Sequence, residues 1–109
     1  MSLGGEGDEE QRVHPRVRVS GSASIRVLGE TGSQTAKLVD LSRSGVLLAT
    51  PLLAVGARVR LDTVGLQTTG TVVRQVDACG PDRSEGVAIR FDELQNLDWS
   101  RIRRRGADW

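Results

Sequence analysis

The chain has 109 residues, a formal net charge of +1, 38% apolar residues and only 3% aromatic ones. That is the size of one small domain whose modest core rests on Val, Leu, Ile and Ala, and near-neutral charge supplies no bulk field for holding DNA or anionic lipid. A single cysteine, Cys79, excludes an internal disulfide and a cysteine-based zinc site.

Residues 1–10 are rich in Gly and acids with almost nothing to bury, which predicts a disordered N-terminal tail. The domain is expected over 11–105, with a short tail at 106–109. No long apolar stretch and no charged-then-apolar leader occurs, so the reading is a soluble, cytoplasmic protein without direct membrane insertion. From Arg18 onward the apolar period is mostly two, as a half-buried strand requires. Ala23, Ile25 and Val27 alternate with polar neighbours, and Gly29 to Ser33 is a turn. Thr35 to Leu41 and Val46 to Thr50 read as the second and third strands, with Pro51 to Ala57 a loop. Arg58 to Val64 is a fourth strand. Leu66 to Val76 is a longer fifth one, with a bulge or bend expected at Gly70. Asp77 to Glu85 reads as a polar loop and Gly86 to Phe91 as the sixth strand.

Six short strands leave edges that invite aggregation unless the sheet closes. The expectation is a mainly β protein, a six-stranded antiparallel β-barrel with a C-terminal α-helix. Asn96 is a good N-cap, Asp98 suits the first turn, and Trp99 and Ile102 share a face at i,i+3, Trp99 plugging the barrel. Arg101, Arg103, Arg104 and Arg105 then fall in the last turn before Gly106. That basic run reads as a solvated helix end favoured by the helix dipole, in preference to a nucleic-acid patch.

Two motifs carry chemistry. Arg12-Val13-His14-Pro15-Arg16 is an R-x-x-x-R pattern, and Asp40-Leu41-Ser42-Arg43-Ser44-Gly45 is D-x-S-x-x-G. Arginine offers paired donors that match two phosphate oxygens, or the adjacent O6 and N7 acceptors of guanine. An ionised Asp only accepts, so Asp40 fits the donor edge of guanine, and Ser42 can donate or accept. Gly45 can adopt φ > 0 and lets a ligand approach the backbone. Pro15 disfavours a helical turn through the arm. Extended, Arg12 and Arg16 sit up to roughly 13 Å apart, against about 6 Å in a helix, and can straddle a compact dianion.

In these motifs the chain resembles the PilZ domain family, the bacterial receptor module for cyclic di-GMP. The resemblance runs from about Arg12 to Arg105. It includes Leu53-Ala54-Val55-Gly56, Gly70-Thr71-Val72-Val73-Arg74 and Gly86-Val87-Ala88-Ile89-Arg90-Phe91 in the family's order. It implies the six-stranded barrel with a C-terminal helix. It also implies that Arg12 and Arg16 hold the phosphates and a guanine acceptor edge, that Asp40 and Ser42 meet guanine donors, and that Gly45 shapes the turn. Arg74 is placed where similar proteins stack a cation on a base. Many members carry a further Arg where this chain has Gln11, which points to one bound nucleotide in place of an intercalated pair.

Catalysis is not expected. His14 is the only histidine, Ser42 lacks the G-x-S-x-G elbow, and Cys79 sits among acids that raise a thiol pKa. No metal-ligand cluster or P-loop occurs, and no cofactor is expected. The reading is a cyclic di-GMP receptor in second-messenger signalling that changes its surface for an unidentified protein partner. The alternative is a PilZ-type adaptor that works by protein contacts without nucleotide. A small barrel binding single-stranded nucleic acid is disfavoured, because such barrels need aromatic platforms and a basic groove.

Overall fold

The computed structural model describes residues 15–51 and 53–104. The tail and arm expectations at 1–10, Arg12 and 106–109 lie outside the described residues. Seven strands follow in order: β1 (Val17–Arg18), β2 (Ser22–Val27), β3 (Gln34–Leu41), β4 (Gly45–Ala49), β5 (Arg58–Thr63), β6 (Leu66–Cys79) and β7 (Ser84–Phe91). All pairings are antiparallel, in the order β3-β2-β5-β6-β7-β4, and pairing of β4 back to β3 closes a six-stranded barrel. The two-residue β1 pairs with the end of β3, beyond the stretch that β2 occupies. Gly21, at φ 119°, makes the kink between β1 and β2, a conformation that L side chains rarely adopt.

Alternation builds the interior. Ile25, Leu41, Leu48, Val59, Leu61, Val72 and Val87 are each at most 2% exposed and belong to one core. Burial of such side chains contributes about 1.5–3 kcal/mol each relative to exposure. A second, smaller cluster of Val39, Ala49 and Cys79, with Leu47 and Val76 against it, lies apart from that core. β6 and β7 extend further than the sequence predicts, to Cys79 and from Ser84, so most of the expected polar loop is hairpin. Gly80 at φ 75° and Arg83 at φ 55° turn the chain there. Gly70 is not the bulge. It is paired to Val59 and Phe91, and a Cβ on it would meet the Arg90 carbonyl at 2.4 Å, so the close approach of β7 demands glycine.

The C-terminal helix is not borne out. Among the described residues no helix occurs, and 92–104 carries only bends, turns and one isolated bridge. Two interactions account for it. The Asp98 carboxylate accepts from the backbone N–H of Ser100 at 3.2 Å and from its hydroxyl, which favours a local turn over a helical start. Further on, the backbone is recruited into strand-like pairing: Arg104 bridges Val19, and Ser20 N–H donates to the Arg103 carbonyl at 3.0 Å. Ile102, 7% exposed, is the residue that seals the core, leaning on the Gly65 turn, whereas Trp99 is half-buried beside it.

Asp92, just past β7, ties three strands on the barrel's outside. It accepts from Arg58 at 2.6 and 2.7 Å and from the Thr69 hydroxyl at 2.6 Å. Arg58 first, then Thr69, holds the Asp92 carboxyl down at about 2, from its ordinary 3.8. A depressed carboxyl contributes stability that is complete above its unfolded value and is lost as pH falls through the folded one. The thermal midpoint of Asp92→Asn should therefore fall less than the parent's between about pH 4 and pH 2, measured by circular dichroism. Equal losses would show that the pair is inert.

Candidate ligand-binding face

β3 sets the first of the site residues. Leu38 points into the core, so strict alternation would send Asp40 inward as well. The register shifts between Leu38 and Asp40, where Leu38 faces Leu48 and Asp40 faces Leu47. Val39 is the extra residue of a β-bulge, and it reverses the facing of everything after it. Leu41 returns to the core at 1% exposure, and Asp40 comes to the outer face, half-buried.

β6 repeats the device. Gly70 and Val72 are buried, and alternation would put Arg74 inside with them. A register shift between Val72 and Arg74 makes Val73 the extra residue, so Arg74 stands outward, opposite Ala88. The two bulges place both charges on one row. Arg18 faces Asp40, Asp40 faces Leu47, Leu47 faces Ala88, and Ala88 faces Arg74. The row beneath it, Leu41-Val46-Ile89-Val72, is the wall of the core, which fixes the upper row as exterior. Three strand steps separate Asp40 from Arg74, about 14 Å, and Leu47 and Ala88 form a low apolar floor between them. Gly45, Arg90 and Thr71 make the next row of the same face.

The bend after Asp40 is held from within. Ser42 is 4% exposed. Its Oγ accepts from Ser44 N–H and Gly45 N–H, each at 3.2 Å, and Ser42 N–H donates to the Gly45 carbonyl at 2.9 Å. Ser42 thus shapes the turn that follows Asp40. Gly45 is needed for a reason other than the expected positive φ. Its φ is not in the left-handed region, but a Cβ would meet the Ile89 carbonyl at 2.6 Å. Arg43 braces the turn from outside, donating to the Gln95 carbonyl at 3.1 Å while its own carbonyl accepts from Gln95 N–H.

Of the residues named from sequence, Asp40, Ser42, Gly45 and Arg74 are gathered around this face. Arg16 is exposed and immediately precedes β1, while Arg12 lies outside the described residues. Arg18 and Arg90 were missed. The alternation of β1 and β7 marks both as outward positions, but only the register brings them to this face. Burial, then Asp82, then Asp40 pushes the Cys79 thiol above its ordinary value, which works against a reactive thiolate. A separate recess of about 820 Å3 opens between Ser22, Ser24 and Asp62 on the barrel and Gln95, Asn96 and Arg101 beyond it. It holds none of the expected residues, and its two carboxylates, Asp62 and Asp98, suit a dianion poorly. Among the described residues no cluster could hold a metal ion and no helix is long and apolar enough to cross a membrane.

The PilZ domain family model matches residues 10–105, and the chain belongs to that family. PilZ domains are binding and adaptor modules that generally bind cyclic di-GMP. No curated protein matches the chain.

Two outcomes check this geometry. Deleting Val73, itself 41% exposed, should leave the fold intact by circular dichroism, because a regular ladder then runs from inward Val72 directly to outward Arg74, still opposite Ala88. Val73→Ala should be within about 1 kcal/mol of the parent by denaturant titration. Ser42→Ala leaves two turn N–H groups without an acceptor and should cost about 1–3 kcal/mol without any ligand present, read by the same titration. An unchanged denaturation midpoint would make Ser42 a ligand contact only.

Proposed function

We propose that this PilZ domain is a cyclic di-GMP receptor that alters its protein-interaction surface on binding nucleotide. The observation that carries the reading is the row from Arg18 through Asp40, Leu47 and Ala88 to Arg74 on one outer face. Its chemistry is complementary to a guanine nucleotide. Asp40 accepts from the donor edge of a base, Leu47 and Ala88 give the base a flat apolar seat, and Arg74 offers its guanidinium plane to a base face. Arg16 stands at the entry to β1, on the chain that runs past Asp40, where with Arg12 it supplies paired donors for phosphate. Ser42 and Gly45 act by aiming the turn.

Binding then ties the R-x-x-x-R arm across the face. Ordering the arm costs about 1–2 kcal/mol per residue, offset by charge-assisted hydrogen bonds of about 1.5–3 kcal/mol each. Gln11 adds no charge beside the arm, which favours one ligand over a stacked pair. A cytoplasmic bacterial setting belongs to this reading through the family's role and not through any single residue.

One observation favours a second reading, an adaptor acting without nucleotide: the Ser42 hydroxyl is committed to its own turn. Calorimetry decides between them. The parent should bind cyclic di-GMP and not GTP, and Arg12→Ala or Arg16→Ala should each weaken binding at least about tenfold, as loss of one charge-assisted bond implies, with an unchanged thermal midpoint of the free protein. A parent that takes up no cyclic di-GMP would establish the adaptor.

A further inference from the structure

Arg90 is a cation of the outer face that the nucleotide contacts above leave without a task. Val87, Ile89 and Phe91 of β7 lie in the core, so alternation turns Arg90 outward, and it is exposed. It stands opposite Gly45 on one side and Thr71 on the other, one row from the Leu47–Ala88 floor. The turn after Asp40 fixes its backbone, because Phe91 N–H donates to the Ser44 carbonyl at 2.9 Å. The surroundings give its guanidinium no anion. Asp92, the nearest acid on the same strand, accepts from Arg58 and from the Thr69 hydroxyl. The Thr71 hydroxyl accepts from Arg58 as well. Among the described residues Arg90 is in no ion pair. Gly45 carries no side chain, so its position on β4 does not screen Arg90 from the floor.

We propose that Arg90 is a specificity-determining residue, reading the acceptor edge of the guanine whose donor edge meets Asp40. The assignment rests on the nucleotide reading above and adds to it the residue that tells guanine from adenine. Two strand steps and one row separate Asp40 from Arg90, about 12 Å. That span seats one purine on Leu47 and Ala88 with a hydrogen bond at each edge. Guanine presents O6 and N7 side by side, a match for the guanidinium fork. Adenine keeps N7 but replaces O6 by an N–H donor, which opposes the same fork. Asp40 and Arg90 thus grip opposite sides of one base, the carboxylate taking its donors and the guanidinium its acceptors.

The test is calorimetry on the full chain with cyclic di-GMP and with its 7-deaza analogue, in which a C–H replaces N7. The parent should bind the analogue about tenfold more weakly, as loss of one charge-assisted hydrogen bond implies. Arg90→Ala should weaken cyclic di-GMP about tenfold or more and bind the two ligands within about twofold of each other, because side chain and N7 belong to one contact. Arg90→Lys keeps the charge without the fork and should behave like the alanine variant. Both free variants should keep the parent's thermal midpoint, since the side chain is exposed and in no ion pair. An alanine variant that binds like the parent or still prefers N7, or a lysine variant with full affinity, overturns the assignment. A parent that binds cyclic di-GMP without preferring N7 also overturns it and leaves the nucleotide reading standing. A parent that binds no cyclic di-GMP brings both down.

Discussion

Two single-residue insertions, Val39 in β3 and Val73 in β6, decide where the charge goes in this barrel. A strand in strict alternation has no freedom: once Leu38 and Val72 are inside, every second residue after them is inside too. The core beneath is an aliphatic wall of Leu, Val and Ile side chains, and an unpaired carboxylate or guanidinium there would cost several kcal/mol. Each bulge resets the phase once. Asp40 and Arg74 emerge on the same outer row, and Leu41 returns to the interior in its turn. The outer row that carries Asp40 and Arg74 is thus a product of register, and the same register keeps both charges out of the core.

The bulges also account for the second apolar cluster. A bulge leaves two residues opposite one partner, and in β3 those are Val39 and Asp40, both facing Leu47. Val39 therefore lies outward, where Ala49, Cys79, Leu47 and Val76 cover it to 5% exposure. That patch anchors the bulge, so the position of Asp40 is set by packing next to it as well as by pairing beneath it. The turn beyond is closed by Ser42, and Gly45 permits β4 to approach β7 to the point where a Cβ would strike the Ile89 carbonyl. Two of the motif's residues, Ser42 and Gly45, are accordingly spent on holding a third, Asp40, at a fixed height over the floor. Preorganisation of this kind lowers the ordering cost that a ligand must overcome.

The sequence made the six barrel strands legible because their period is two and their turns carry Gly, Asp and Ser in the right places. Facing was not legible. The run Leu38-Val39-Asp40-Leu41 reads equally well with either phase, and only pairing with Leu48 and Leu47 decides it. The same holds for Val72-Val73-Arg74, so Arg74 could be proposed from resemblance but not from pattern. Strand length was misread where the hairpin is exposed, since Asp77 and Ala78 look like loop when burial is the only guide. The helix was misread because Trp99 and Ile102 at i,i+3 fit a helical face and a single turn alike. What overrode it is non-local: the pairing of Arg103 and Arg104 with Ser20 and Val19, more than eighty residues away in the chain.

That non-local pairing gives the short strand β1 its place in the architecture. On one side it holds β3 at the residue pair containing Asp40, and on the other its continuation through Val19 and Ser20 holds the last described residues of the chain. The six-stranded barrel closes without it, yet Val17 packs against the core and Val19, the residue after β1, is fully buried in it. So short a strand owes its place to that packing more than to its ladder, which holds only two residue pairs. The sheet supplies the face that carries Asp40 and Arg74, and β1 ties one edge of that face to the last described residues of the chain.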